Sequence, residues 1–199
     1  SFAKRFIDIV LGRIAPMLTH HDAGKRMRAV RILGLIGGDE IEVQLLTAFK
    51  DSSVNVRCEA IRALGGHVSD VVVSGLTLAL TDESAEVRRL AVSALGQCPQ
   101  EKALPALTLA AGDADLWVRA AVLRVLEHYS GDEVRDILLE GVSDPVGLVV
   151  IAALESSVVV LPEQCQKLLE NVLTHSDEEV VKAAMSLLSR FVGKDWIGS

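Results

Sequence analysis

The stretch "DSSVNVRCEAIRALG" at 51–65 is echoed by "DESAEVRRLAVSALG" at 82–96. The two begin 31 residues apart, and the same step carries on in both directions. With Asp82 as register zero, the zeros are His20, Asp51, Asp82, Asp113, Asp144 and His175. Register +5 reads Lys25, Val56, Val87, Val118, Val149 and Val180, and register +6 reads Arg26, Arg57, Arg88, Arg119, Val150 and Val181. Register +9 is Ala29, Ala60, Ala91, Val122, Ala153 and Ala184, and register +13 is Leu33, Leu64, Leu95, Leu126, Ser157 and Leu188. The six registers hold without insertion or deletion. A period of this size means a supersecondary unit stacked on copies of itself.

Each unit resolves into two helices. The second runs from about +3 to +16. Its apolar registers +5, +9, +12 and +6, +10, +13 form two adjacent helical stripes, so it is covered on two sides. The Asp or His at zero stands where an acceptor can meet free N–H groups. Gly34, Gly65 and Gly96 at +14 loosen the last turn, and breaker clusters follow, such as "GGHVSD" at 65–70 and "QCPQ" at 97–100. Acidic residues at +19 (Asp39, Asp70, Glu101, Asp132, Glu163) open the next helix, which carries Leu45, Leu76, Leu107, Leu138 and Leu169 at one fixed register. No segment sustains period-two alternation. The fold class expected is all-α.

A half-buried arginine at +6 is costly unless paired. A ladder of zero carboxylates and +6 guanidinium groups solves this, within a unit or between neighbours. Its members would be Asp51 and Arg57, Asp82 and Arg88, Asp113 and Arg119. The same-unit pair is incomplete in unit one (His20 with Arg26), unit five (Asp144 with Val150) and unit six (His175 with Val181).

Asp at zero, Val-Arg at +5 and +6, Ala at +9 and Leu-Gly at +13 and +14 resemble HEAT repeats. The short 31-residue form is similar to the HEAT-like repeats named after phycobilisome lyases. The resemblance covers roughly residues 4–193 and implies a right-handed α-solenoid of about six two-helix repeats, with the second helices lining the concave side. It implies one domain over 1–199, with repeats at roughly 4–35, 36–66, 67–97, 98–128, 129–160 and 161–193. The fold serves many unrelated tasks, so function must be argued from the surface.

Local chemistry gives little. There is no HExxH, no recurring His-Glu pair of the kind found in di-iron hydroxylases built on HEAT-like repeats, no GxSxG and no phosphate loop. His20, His21 and Asp22 offer metal donors, but His20 occupies the helix-leading register. His128 and Tyr129 close a helix. Cys98 falls in an apolar register, whereas Cys58 at +7 is expected to be more exposed and open to reaction. No catalytic residue, metal or cofactor is expected. The three scattered cysteines read as reduced thiols of a cytoplasmic protein. The longest apolar run, "LVVIAAL" at 148–154, is too short to cross a bilayer. A net charge of −7 argues against nucleic acid and membrane as partners, and against the DNA glycosylases that share the repeat.

That leaves an interaction scaffold. Registers +4, +7, +8 and +11 should face outward on the second helices. They place Met27, Arg28 and Arg31 in unit one, Cys58, Glu59 and Arg62 in unit two, and Arg89 and Leu90 in unit three. Trp117, Ala121 and Arg124 follow in unit four, and Leu148, Ile151 and Glu155 in unit five. Arg31, Arg62 and Arg124 should form a row beside an apolar patch of Trp117, Leu148 and Ile151, a composition suited to a protein or peptide with acidic groups. The alternative is a phycobilin-lyase-like role in chromophore attachment, or as its chaperone subunit, with Cys58 or His67 as contacts. The apolar first helix, the uncovered Val181, Leu188 and Phe191 of the last, and the tail "KDWIGS" point to end-to-end self-association or a longer parent chain; the first residue is Ser, not Met.

Overall fold

In a computed structural model describing residues 2–195, every described second helix begins three residues after register zero. These helices are α2 (Ala23–Ile36), α4 (Val54–Ala63), α6 (Ala85–Leu95), α8 (Leu116–Val125), α10 (Gly147–Val160) and α12 (Glu178–Asp195). The first-type helices are α1 (Phe2–Leu18), α3 (Asp39–Thr47), α5 (Asp70–Ala79), α7 (Gln100–Ala110), α9 (Asp132–Gly141) and α11 (Pro162–Asn171). Single 3-10 turns at Ala48–Lys50, Leu126–His128 and Val172–Thr174 extend α3, α8 and α11. Among the described residues there is no strand, so the all-helical class holds.

The start at +3 has a visible cause. The zero carboxylate accepts the N–H two residues on: Ser53 to Asp51 at 2.8 Å, Ser84 to Asp82 at 2.8 Å, Asp115 to Asp113 at 2.8 Å and Val146 to Asp144 at 2.9 Å. This turn presents residue +2 as the helix cap. Asp22 and Asp115 then accept N–H groups of the first helical turn themselves. The histidines at zero fill the same office, because Nδ1 of His20 accepts the Asp22 N–H and Nδ1 of His175 the Asp177 N–H, each at 3.0 Å. Histidine therefore substitutes for aspartate as an acceptor.

The chain divides into two compact units, Ser1–Ala103 and Leu104–Ser199. In the first, α4 lies between α2 and α6, and α3 and α5 pack alongside. In the second, α10 lies between α8 and α12, and α9 and α11 pack alongside. The fixed leucines Leu45, Leu76, Leu107, Leu138 and Leu169 are all buried, as are all six residues at +9. The small side chain at +9 is what lets neighbouring second helices approach. Gly34 does more than loosen a turn: a Cβ there would stand 2.7 Å from that of Ala63, so α2 and α4 meet at this point only because the residue is glycine.

In the second unit, Val150, Leu154, Leu169, Val172, Val180, Ala184 and Leu187 form one apolar cluster, with Ile151 and Leu188 packed against it. Exceptions to the stripe pattern fall in the outermost described repeats. Lys25, Ile32 and Met185 are exposed, and so are Phe6 and Ile9 on α1. Phe191 and Trp196 lie where no side chain is described.

Candidate functional site

The +6 arginines are placed by their helices to reach two repeats at once. Arg57 is 5% exposed. Its Nη1 donates to the Asp51 carbonyl of its own repeat at 2.9 Å. Its Nη2 donates to Asp82 Oδ1 of the following repeat at 2.9 Å, and its Nε lies 2.8 Å from Asp82 Oδ2. Arg26 repeats this geometry on the His20 carbonyl and both oxygens of Asp51, at 2.8, 2.7 and 2.8 Å. Arg119 does so on the Asp113 carbonyl and both oxygens of Asp144, at 2.9, 2.8 and 3.0 Å. Arg88 donates to the Asp82 carbonyl at 2.8 Å.

The ion pair thus joins one repeat's arginine to the next repeat's carboxylate. Of the two pairings open to the ladder, within a unit or between neighbours, the structure has the second. Arg26 is paired although His20 stands at its own zero, and Asp144 is paired although Val150 stands at its own +6. Each arginine projects off its helix toward the following repeat, so the carboxylate within reach is 25 positions on, as in Arg26 with Asp51.

These pairs imply a pH dependence. Burial pushes the Asp51 and Asp144 carboxyls up, but hydrogen bonds from Arg26 and Arg119, the turn N–H groups and the arginine charges together hold both below the usual aspartate value. A carboxylate whose pKa is lower folded than unfolded adds stability above its unfolded pKa and loses it as pH falls through the folded one. Urea denaturation should therefore show stability level near neutrality and falling below about pH 4. Asp51→Asn should flatten that fall, and an unchanged slope in the variant would contradict the assignment.

On the outward side of the second helices, registers +4 and +11 are the exposed ones. Asn55, Glu86, Trp117 and Glu179 are exposed at +4, and Arg31, Arg62, Ser93, Arg124, Glu155 and Ser186 at +11. Registers +7 and +8 are only partly so. Cys58 is 1% exposed rather than open to reaction, and Ala120 and Ala152 are buried, because flanking second helices close over these positions. Burial pushes the Cys58 thiol up, which disfavours the thiolate. Met27, Glu59, Leu90, Ala121, Leu148 and Ile151 are half-buried, while Arg28 and Arg89 are exposed.

The first unit brings several of these residues together. A cleft of about 220 Å³ between α2 and α4 is lined by Arg31, Gly34, Leu35, Glu59, Arg62 and Ala63. The Gly34–Ala63 contact makes its floor. Arg31 is already engaged, donating from Nε and Nη2 to the two Glu59 oxygens at 2.7 and 3.1 Å. That bond, foremost, holds the Glu59 carboxyl below its ordinary range. Arg62 lies 3.6 Å from Glu86, a looser and half-exposed pair. Among the described residues Arg28 and Arg89 have no ion-pair partner. Leu35, 83% exposed on the rim, is a residue the outward registers did not include.

In the second unit Trp117 is 53% exposed and Arg124 and Glu155 are exposed. Leu148 and Ile151 are half-buried, so the apolar patch is narrower than expected and Trp117 dominates it. His67 is not free for a ligand. Its Nδ1 lies 2.7 Å from Glu42 Oε1, and Ser69 Oγ donates to the other Glu42 oxygen at 2.8 Å, tying the segment before α5 to α3 of the preceding repeat. Among the described residues no group of three His, Cys, Asp or Glu side chains could hold a metal ion, and no helix is long and apolar enough to cross a membrane.

Residues 73–158 match the family of HEAT repeats. No curated protein matches the chain in sequence. Among solved structures, the CpcE–CpcF complex of phycocyanin lyase from Nostoc sp. PCC7120 is similar at 22% identity and a TM-score of 0.61, over 76% of this chain and 99% of that one. A designed armadillo repeat protein in complex with the peptide (KR)4 is similar at 21% identity and a TM-score of 0.55, over 91% and 99%. Cex1p is similar at 15% identity and a TM-score of 0.67, over 97% of this chain and 44% of that one. At these identities the likeness speaks for the helical-repeat fold.

Proposed function

We infer that this chain of HEAT-like repeats is a non-catalytic scaffold that binds an acidic protein segment on the second-helix face of its first unit. The observation that carries the reading is the arginine-rimmed cleft between α2 and α4. In a chain of net charge −7, Arg28, Arg31, Arg62 and Arg89 are exposed on this face, against Glu59 and Glu86. Arg31 holds Glu59 and is largely neutralised, so Arg28, Arg62 and Arg89 supply the available charge. Leu35 beside the cleft offers an apolar contact for a ligand side chain. Trp117 and Arg124 give the second unit a contact point of its own kind. The peptide-bound armadillo structure is a precedent for helical repeats holding a charged peptide, there the basic (KR)4. For the chromophore role, the burial of Cys58 and the engagement of His67 weigh against these two residues as contacts.

The test uses fluorescein-labelled peptides containing leucine with either Asp and Glu or Lys as the charged residues, read by fluorescence anisotropy. The acidic set should bind. Combined Arg28→Glu, Arg62→Glu and Arg89→Glu substitution should weaken it at least about tenfold with helicity unchanged, because these side chains are exposed and make at most one weak surface pair. Equal binding of acidic and lysine peptides, or binding indifferent to the variant, would contradict the reading.

A further inference from the structure

The first unit carries a second concavity, on α3 and α5 rather than on α2 and α4. It encloses about 490 Å³, and its walls are Val43, Leu46 and Phe49 on the α3 side and Val71, Leu78 and Ala79 on the α5 side. Gly75 forms the floor, where a Cβ would run into Leu46 Cδ2. Val43, Val71 and Leu78 are 56%, 59% and 61% exposed, an amount of apolar surface that isolated surface residues do not explain. The anchors are spaced for a helix. Val43 and Leu46 lie three apart on one wall, Val71 and Leu78 seven apart on the other, and the trough between them runs along both axes.

Charge gives the groove a direction. Glu40, Val43, Thr47 and Lys50 fall on one stripe of α3 and its 3-10 extension, with Lys50 lining one end of the groove and Glu40 standing beyond the other; Asp82, which also lines the Lys50 end, is taken up by Arg57. Glu40 and Lys50 are exposed, and neither has an ion-pair partner among the described residues. The carbonyl ends of α3 and α5 also lie at the Lys50 end. A helix laid antiparallel to them brings its positive N-terminal dipole to those carbonyls. It also brings an acidic first turn to Lys50 and a basic last turn to Glu40. That is the charge order a free-standing helix itself prefers. A parallel helix would need the reverse order on every count.

We propose that the α3–α5 groove docks an amphipathic helix of a partner protein, antiparallel to α3, with apolar residues at i, i+3, i+4 and i+7, acidic in its first turn and basic in its last. This surface is separate from the arginine-rimmed cleft and does not depend on it.

The probe is a capped, fluorescein-labelled helical peptide with leucines at that spacing, Glu in the first turn and Lys in the last. Its partner has the same leucines and the two charged turns exchanged. Anisotropy titration of the full chain should show the first binding and the second weaker by roughly tenfold. Leu78→Glu should abolish binding of both, and Lys50→Glu should narrow or invert the preference between them. Both side chains are exposed, so the variants should keep the wild-type helical signal. Equal affinity for the two peptides, or binding that survives Leu78→Glu, would overturn the proposal. So would sedimentation showing that the protein occupies this groove with a second copy of itself, seen as a dimer that Leu78→Glu dissolves.

Discussion

Arg57→Ala should lower the free energy of unfolding by about 3–5 kcal/mol, measured by urea denaturation near neutral pH. The side chain is 5% exposed, and the Asp82 carboxylate it faces is 11% exposed. Truncation leaves that carboxylate in a poorly solvated place with, among the described residues, only the Ser84 N–H hydrogen-bonded to it. It also takes a donor from the Asp51 carbonyl, whose own side chain sets the start of α4. Two repeats lose support from one substitution.

Asp82→Ala should be costly for the mirror-image reason, and the double variant should cost clearly less than the two singles added. A coupling of about 1 kcal/mol or more is expected for groups in direct contact. Arg31→Ala makes the control. Arg31 also holds a carboxylate with two hydrogen bonds, but it is 57% exposed, and such a pair is worth at most about 1 kcal/mol. Equal losses at Arg31 and Arg57 would mean that burial is not what makes the inter-repeat pair matter.

The second large effect separates two leucines on one helix. Leu76→Ala should cost about 2–5 kcal/mol, because Leu76 is fully buried on the inner face of α5 and its removal leaves a cavity in the packed core. Leu78→Ala should stay within about 0.5 kcal/mol, because Leu78 is 61% exposed on the groove wall. The same denaturation experiment reads both. A large loss at Leu78 would mean that it belongs to the core and that the groove is not an open surface.

The periodicity of the chain made the internal side of each repeat legible. Each zero residue, each second-helix start at +3, each small residue at +9 and each fixed leucine follows from one period. Histidine at zero cannot supply the ladder's carboxylate, yet it accepts the turn N–H as aspartate does, as the Asp22 N–H to His20 Nδ1 bond shows. What a single repeat could not reveal was anything that two repeats decide together. Arg26 reaches Asp51 because the following repeat stands beside it, and Cys58 is buried because flanking helices close over it. Arg31 is neutralised by Glu59 for the same reason, which moved the available charge of the face to Arg28, Arg62 and Arg89.

The groove on α3 and α5 follows the period in its position but not in its lining. Val43, Val71 and Leu78 occupy three different registers, and the equivalents in other repeats are mixed: Leu78 corresponds to Thr47, Leu109 and Glu140. A cavity of about 640 Å³ recurs two repeats on, between α7 and α9, but Thr108, Leu109, Ile137 and Glu140 line it, so the apolar character and not the concavity is what the period fails to carry. Core positions recur because every layer must pack on the next, whereas a recognition surface needs only its ligand.

The deciding question is which helices meet an acidic ligand. Backbone amide NMR of the labelled protein, titrated with the Asp- and Glu-containing peptide set, answers that residue by residue. The expected result is saturable shift changes at Arg28, Leu35, Arg62 and Arg89 on α2, α4 and α6, with α3 and α5 undisturbed. Changes confined to Val43, Val71 and Leu78, or no saturable change anywhere on the second helices, would contradict it.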